Sequence, residues 1–167
     1  MSSITTTGSS LKSTHLPSAL LETALLLDAA EKGRNGANPG IAPKNNITIT
    51  FNADDGTCAI AAAIPVDVTV GSGGALTYAA KDYLGSSYTT FTAGGDVTAS
   101  NVIAAFVQVA QILSAAEKAI SPIEDQPNNI TVDSSSETQT ITIAANLPVV
   151  SSINSSGNVL FSATDYL

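Results

Sequence analysis

The chain has 167 residues, 44% of them apolar, with fourteen acidic and six basic side chains, one His and one Cys. That length builds one ordinary domain or two small ones, and a mean hydropathy of +0.24 excludes a disordered tail. A single Cys excludes an internal disulfide framework, and a single His excludes a Cys/His zinc set. With a net charge of −8 there is no basic cluster to neutralise phosphates, so no nucleic-acid partner is expected.

The start, Met1-Ser2-Ser3-Ile4-Thr5-Thr6-Thr7, lacks a basic segment followed by an apolar one, and no secretory signal is expected. A Ser/Thr-rich strand candidate comes first. A helix is predicted over 17–32, with Ser18 near its start, Glu22 in its first turn and Gly33 as its stop. Its residues Leu20, Leu21, Ala24, Leu25, Leu26 and Leu27 cover far more than one stripe, which predicts burial on more than one side. After a Gly/Pro/Asn loop, Ile47, Ile49 and Phe51 alternate with Thr48, Thr50 and Asn52, the period of a half-buried strand. Asp54-Asp55-Gly56 turns the chain, and Cys58, Ile60, Ala62 and Ile64 resume the alternation up to Pro65, which ends the strand or marks a sheet edge. Residues 66–70 and 76–78 are shorter strand candidates.

The same order then begins again. A strand is predicted over 87–92 and a helix over 101–119, with Ser100 as N-cap, Pro122 beyond the end, and Ile103, Phe106, Val107, Val109, Ile112 and Leu113 as its apolar surface. A hairpin follows, with Ile130 and Val132 on one strand, a turn over 134–137, and Ile141, Ile143, Ala145 and Leu147 on the other, up to Pro148. Residues 149–153 and 159–161 close the series. The longest apolar run, 59–66, is too short to cross a bilayer, and no membrane partner is expected.

The recurrence extends to the residues themselves. Asn45-Asn46-Ile47-Thr48 returns as Asn128-Asn129-Ile130-Thr131, and Asp82-Tyr83-Leu84 returns as Asp165-Tyr166-Leu167, both 83 residues on. Laid without gaps, 45–84 and 128–167 share 16 of 40 residues, where this composition gives roughly three by chance. Ala29-Ala30-Glu31-Lys32 matches Ala115-Ala116-Glu117-Lys118 at an offset of 86, the difference falling in a loop. The chain is therefore read as two copies of a β-α-β-β unit with room for one further strand, 1–84 and 85–167. The expected class is α+β, with the copies packed through their helices as a pseudo-twofold dimer within one chain.

No residue set carries chemistry. His15 precedes a helix without a Cys, His or triad partner nearby in sequence and is read as a surface or capping residue. Cys58 aligns with Ile141 and is read as a small buried hydrophobe. Asp54-Asp55-Gly56 lacks the alternating ligands and distal Glu of a calcium loop. Gly71-Ser72-Gly73-Gly74 lacks the Lys-Ser/Thr of a phosphate loop. Both are read as turns. The sequons at Asn46, Asn129 and Asn154 are read as accidents of a Ser/Thr-rich chain, with the Asn pairs serving loop hydrogen bonds. The repeated Asp-Tyr-Leu predicts a segment docked by its Tyr and Leu. No catalytic residue, cofactor or metal is expected.

Charged residues make up only 12% of the chain, about half the usual share, and 64 of 167 residues are Ser, Thr or Ala. The first copy carries −2 and the second −6, so the halves offer different electrostatic faces. In size, composition and organisation the chain resembles head and tail components of tailed bacteriophages, and most of all capsid cement (decoration) proteins. Such proteins bind the outer surface of an assembled shell and hold neighbouring capsomers together. The resemblance implies a non-enzymatic virion protein, made in the host cytoplasm, whose partners are the major capsid protein or other virion proteins, with homo-oligomerisation an open option. A tail-tube, neck or baseplate component and a small-ligand or hydrolytic domain are the alternatives.

Overall fold

The computed structural model of the chain describes residues 11–37, 46–84, 96–120, 129–165 and 167. Its elements are α1 (Leu16–Ala37), β1 (Ile47–Asn52), β2 (Thr57–Val70), β3 (Leu76–Ala80), α2 (Val102–Ile120), β4 (Ile130–Ser135), β5 (Thr140–Ile153) and β6 (Val159–Ala163). The class is α+β, with one antiparallel six-stranded sheet. The strands predicted ahead of each helix, including 87–92, lie outside the described residues. Each half of the described chain reads α-β-β-β, the further strand being β3 or β6.

The sheet is built on β2 and β5, its two 14-residue strands, which pair with each other in the middle. β1 flanks β2, and β4 flanks β5. The central register is symmetric under the offset of 83. Ala61 faces Ala144, its own equivalent, while Ile60 faces Ala145 and Ala62 faces Ile143. A local twofold axis therefore passes between Ala61 and Ala144.

Alternation decides which face is covered. Cys58, Ile60, Ala62, Ile64, Ile141, Ile143 and Leu147 point to one side and are buried, whereas Ala59, Ala61, Ala63, Thr142, Ala144 and Asn146 point to the other and are exposed. Both helices lie on the buried side. They pack against each other as well as on the sheet, which accounts for their lack of a broad polar face. α2 is long and apolar enough to cross a membrane, but its apolar residues Ile103, Phe106, Val107, Val109 and Leu113 are spent on this core.

Several boundaries differ from expectation. α1 begins at Leu16, which places Glu22 beyond the first turn, and it runs through Gly33 to Ala37; a helical Gly costs only about 1 kcal/mol, too little to stop a packed helix. Asn101, not Ser100, caps α2, its Oδ1 accepting the Ala104 amide at 2.7 Å. The second hairpin turn occupies 136–139 rather than 134–137. There Gln139 adopts a φ of 51°, matching Gly56 at 66° in the first hairpin, so one half fills with Gln a left-handed position that favours Gly.

Pro65 does not end its strand: β2 continues straight through it, and β5 through Pro148. The Pro65 carbonyl accepts the Lys81 amide and the Pro148 carbonyl accepts the Thr164 amide. Each Pro stands where the neighbour changes, from β1 to β3 or from β4 to β6, so its missing N–H forfeits a single ladder bond at a junction.

Candidate functional site

Beyond these prolines the strands leave the body of the sheet. The ends of β2 and β5 pair only with β3 and β6, forming two arms, 65–80 and 148–164. The inward row of β2 stays apolar from Cys58 through Val66, Val68 and Val70, but burial fades along it until Val70 is 69% exposed. On β5 the same row passes Val149, is broken by the exposed Ser151, and ends at Ile153, 74% exposed. Each tip is completed by its cross-strand neighbour, Leu76 beside Val70 and Val159 beside Ile153, and both neighbours are exposed. Val150 and Leu160 add apolar surface to the second arm. Charge is nearly absent: Asp67 is the sole ionisable group charged at neutral pH in 65–80, and 148–164 has none. The pattern that elsewhere lies beneath a helix thus runs on past the helices without a cover. Two-stranded ribbons with exposed, uncharged aliphatic surface and open edges are prone to pair with another chain.

The segments around the helices are fastened by repeated polar contacts. The Glu31 carboxylate, 2% exposed, accepts the Ile47 amide at 3.2 Å and the Tyr83 hydroxyl. Glu117, also buried, accepts the Ile130 amide at 2.9 Å. Each thereby holds the first residue of an edge strand against the helix that precedes it. Glu22 accepts the Lys12 and Ser13 amides, and its equivalent Gln108 accepts those of Thr98 and Ala99. Asp82 and Asp165 each turn the chain by accepting the amide of the Leu two residues on. Leu84 is buried and Leu167 packs on the core; Tyr166 lies outside the described residues. Burial and the Glu31 contact raise the Tyr83 hydroxyl pKa well above its ordinary value.

The sequence candidates are not brought together. His15 Nδ1 lies 3.0 Å from Asp165 Oδ2, which ties the residue before α1 to the end of the second half. Cys58 is fully buried on the core face of β2, and burial pushes its thiol from an ordinary 9.0 to about 11. The Asp55 carboxylate accepts the Thr57 amide and an Asn52 side-chain N–H, as a hairpin turn requires. Gly71 and Gly74 close the β2–β3 turn through the Ala75 and Gly71 carbonyls. The Asn46 and Asn129 carbonyls accept the Ala63 and Asn146 amides at the strand starts. Among the described residues no group of three His, Cys, Asp or Glu side chains is placed to hold a metal. Comparison with protein-family models, curated proteins and solved structures finds no match.

The Cys58 thiol sets an alkaline limit. Because its folded pKa lies above the unfolded one, its contribution to stability is intact below about pH 9 and is lost as pH rises toward 11. Tyr83 acts in the same sense at higher pH. Urea midpoints measured from pH 8 to 11 should fall, and Cys58→Val should flatten the first part of that fall.

Proposed function

We propose that this chain is a non-enzymatic structural protein of a virus particle, of the capsid cement type, which binds the outer surface of the capsid lattice through its two arms and stabilises contacts between capsomers. The observation that supports it most is the uncovered apolar row at both tips, Val70 with Leu76 and Ile153 with Val159. A row patterned for burial yet exposed in the single chain is what a permanent docking surface requires. The partners are the major capsid protein or other virion proteins, and the place of action is the virion, after synthesis in the host cytoplasm. We also infer that the two halves descend from a duplicated segment. Duplication gives one chain two related contact surfaces, so each modest patch gains from the other through effective concentration.

The arms are tested by charge. Val70→Asp and Ile153→Asp each place a carboxylate where the native side chain is already exposed, so folding stability should change by no more than about 0.5 kcal/mol. In co-sedimentation with particles stripped of this protein, each single variant should bind weakly, and the double variant should lose at least about 10²-fold in affinity. A double variant that decorates particles like the native chain would overturn the proposal. The arms would also suit a tail-tube, neck or baseplate ring. Electron micrographs separate the two, since a ring or tube of the isolated protein supports that alternative and a soluble particle-free chain supports cement.

A further inference from the structure

The two halves differ most informatively in one groove. Phe51 of the first half stacks on Phe161 of the second, ring centroids 4.1 Å apart and planes 16° from parallel. On the adjoining helix Lys32 pairs with Asp28 at 2.6 Å. The equivalents at the symmetry-related place, by the offsets of 83 and 86, are Ser134 for Phe51, Ser114 for Asp28 and Lys118 for Lys32, all of the second half, and Tyr78 of the first half for Phe161. One aromatic ring and one carboxylate have been replaced by two small hydroxyl side chains, while the ring platform and the ammonium group are kept.

These four residues, Tyr78 from the first half and the others from the second, line a single cavity of about 240 Å³ between α2, β3 and β4, together with Gln111, Ala115, Val132 and Ile141. Its floor is the buried pair Ser114 and Ile141, and its rim is the exposed Gln111, Lys118 and Ser134. Among the described residues no carboxylate pairs with Lys118. We propose that this groove binds a small aromatic carboxylate, whose ring takes the place that Phe51 occupies in the other half, against Tyr78, and whose acid group takes the place of Asp28, beside Lys118. Offset stacking on Tyr78 supplies the ring contact, and Lys118, with the Ser114 and Ser134 hydroxyls, supplies charge and hydrogen-bond donors for the carboxylate. The volume suits a single ring with a short acidic chain and falls below that of sites for drug-sized ligands.

The probe is 3-phenylpropionate, titrated into the full chain and followed by NMR at Tyr78, Val132 and the α2 amides around Lys118. Saturable shifts confined to these residues are expected. The neutral alcohol 3-phenyl-1-propanol should bind about threefold more weakly, the loss of one partly exposed ion pair. Ser134→Phe rebuilds the aromatic stack from within and should abolish binding. Lys118→Met should keep the ring contact yet bind acid and alcohol alike, and it decides the question if Ser134→Phe does not fold. No saturable shift at millimolar probe would overturn the assignment, as would acid preference that survives Lys118→Met. Neither result bears on particle binding by the arms.

Discussion

Leu27→Asp or Leu113→Asp is expected to unfold the whole chain, not the half that carries it. Both residues are fully buried at equivalent positions of α1 and α2, the two helices that pack on each other over one face of the sheet. An isolated carboxylate there has no partner and no water, a cost of several kcal/mol. A domain of this size holds only about 5–15 kcal/mol against unfolding. The volume-conserving Leu27→Met should cost less than about 1.5 kcal/mol and keeps the test specific to charge. Circular dichroism melts and one-dimensional NMR provide the readout. If both Asp variants give native spectra and a normal Tm, the shared helical core is wrong.

Removing the buried carboxylates should come next in effect. Glu31→Ala and Glu117→Ala each strand a backbone amide, Ile47 or Ile130, at the start of an edge strand. A buried donor left without its acceptor costs about 1–3 kcal/mol. Glu31→Ala should be the worse of the two, because the Tyr83 hydroxyl loses its acceptor as well. Gln retains an acceptor oxygen at either site, so Glu31→Gln and Glu117→Gln should recover most of the loss. Urea denaturation measures the size of the effect. Amide hydrogen exchange locates it, with faster exchange at Ile47 or Ile130 and little change at Ala61 or Ala144 in the middle of the sheet. Equal protection in the Ala variants would show that the carboxylates do not hold the edges.

The sequence carried the class, the helices and the core-facing strand residues, because alternation and helical periodicity are local signals. Ile47, Ile60, Ile64, Ile141, Ile143 and Leu147 were all placed by period two and all lie in the core. What it left unread depends on partners distant along the chain. Glu31 meets an amide 16 residues away and a hydroxyl 52 residues away. The only local hint was that Ala-Ala-Glu-Lys and Asp-Tyr-Leu both recur. Pro65 and Pro148 looked like strand ends, since a missing donor is normally a defect in a sheet. Only the pairing shows that each falls where one neighbour gives way to the next. The arms were hidden for a related reason. Alternation shows that Val66, Val68 and Val70 share a face, but not that the covering helix stops short of Val70. The groove beside Tyr78 needed both, the alignment of halves to show what is missing and the packing to show that the missing ring and carboxylate belong to one place.

The same contrast separates what stabilises the chain from what it offers to others. The helix-side core and the buried carboxylates are matched in the two halves, as a shared interior demands. The differences lie at the rim and the surface: charge, the Phe51 and Ser134 positions, and the extra aliphatic residues Val150 and Leu160 on the second arm. Two arms alike in their tips and unlike in their flanks suit a partner surface whose neighbouring subunits are related but not identically presented.

Cryo-electron microscopy of virus particles assembled with this chain, compared with particles lacking it, tests the proposed role most directly. The account predicts added density on the outer shell that fits the two-helix, six-stranded body, with the tips at Val70 and Ile153 seated on adjacent capsomers. Density confined to the tail, or a shell-bound body whose tips both point into solvent, would contradict it.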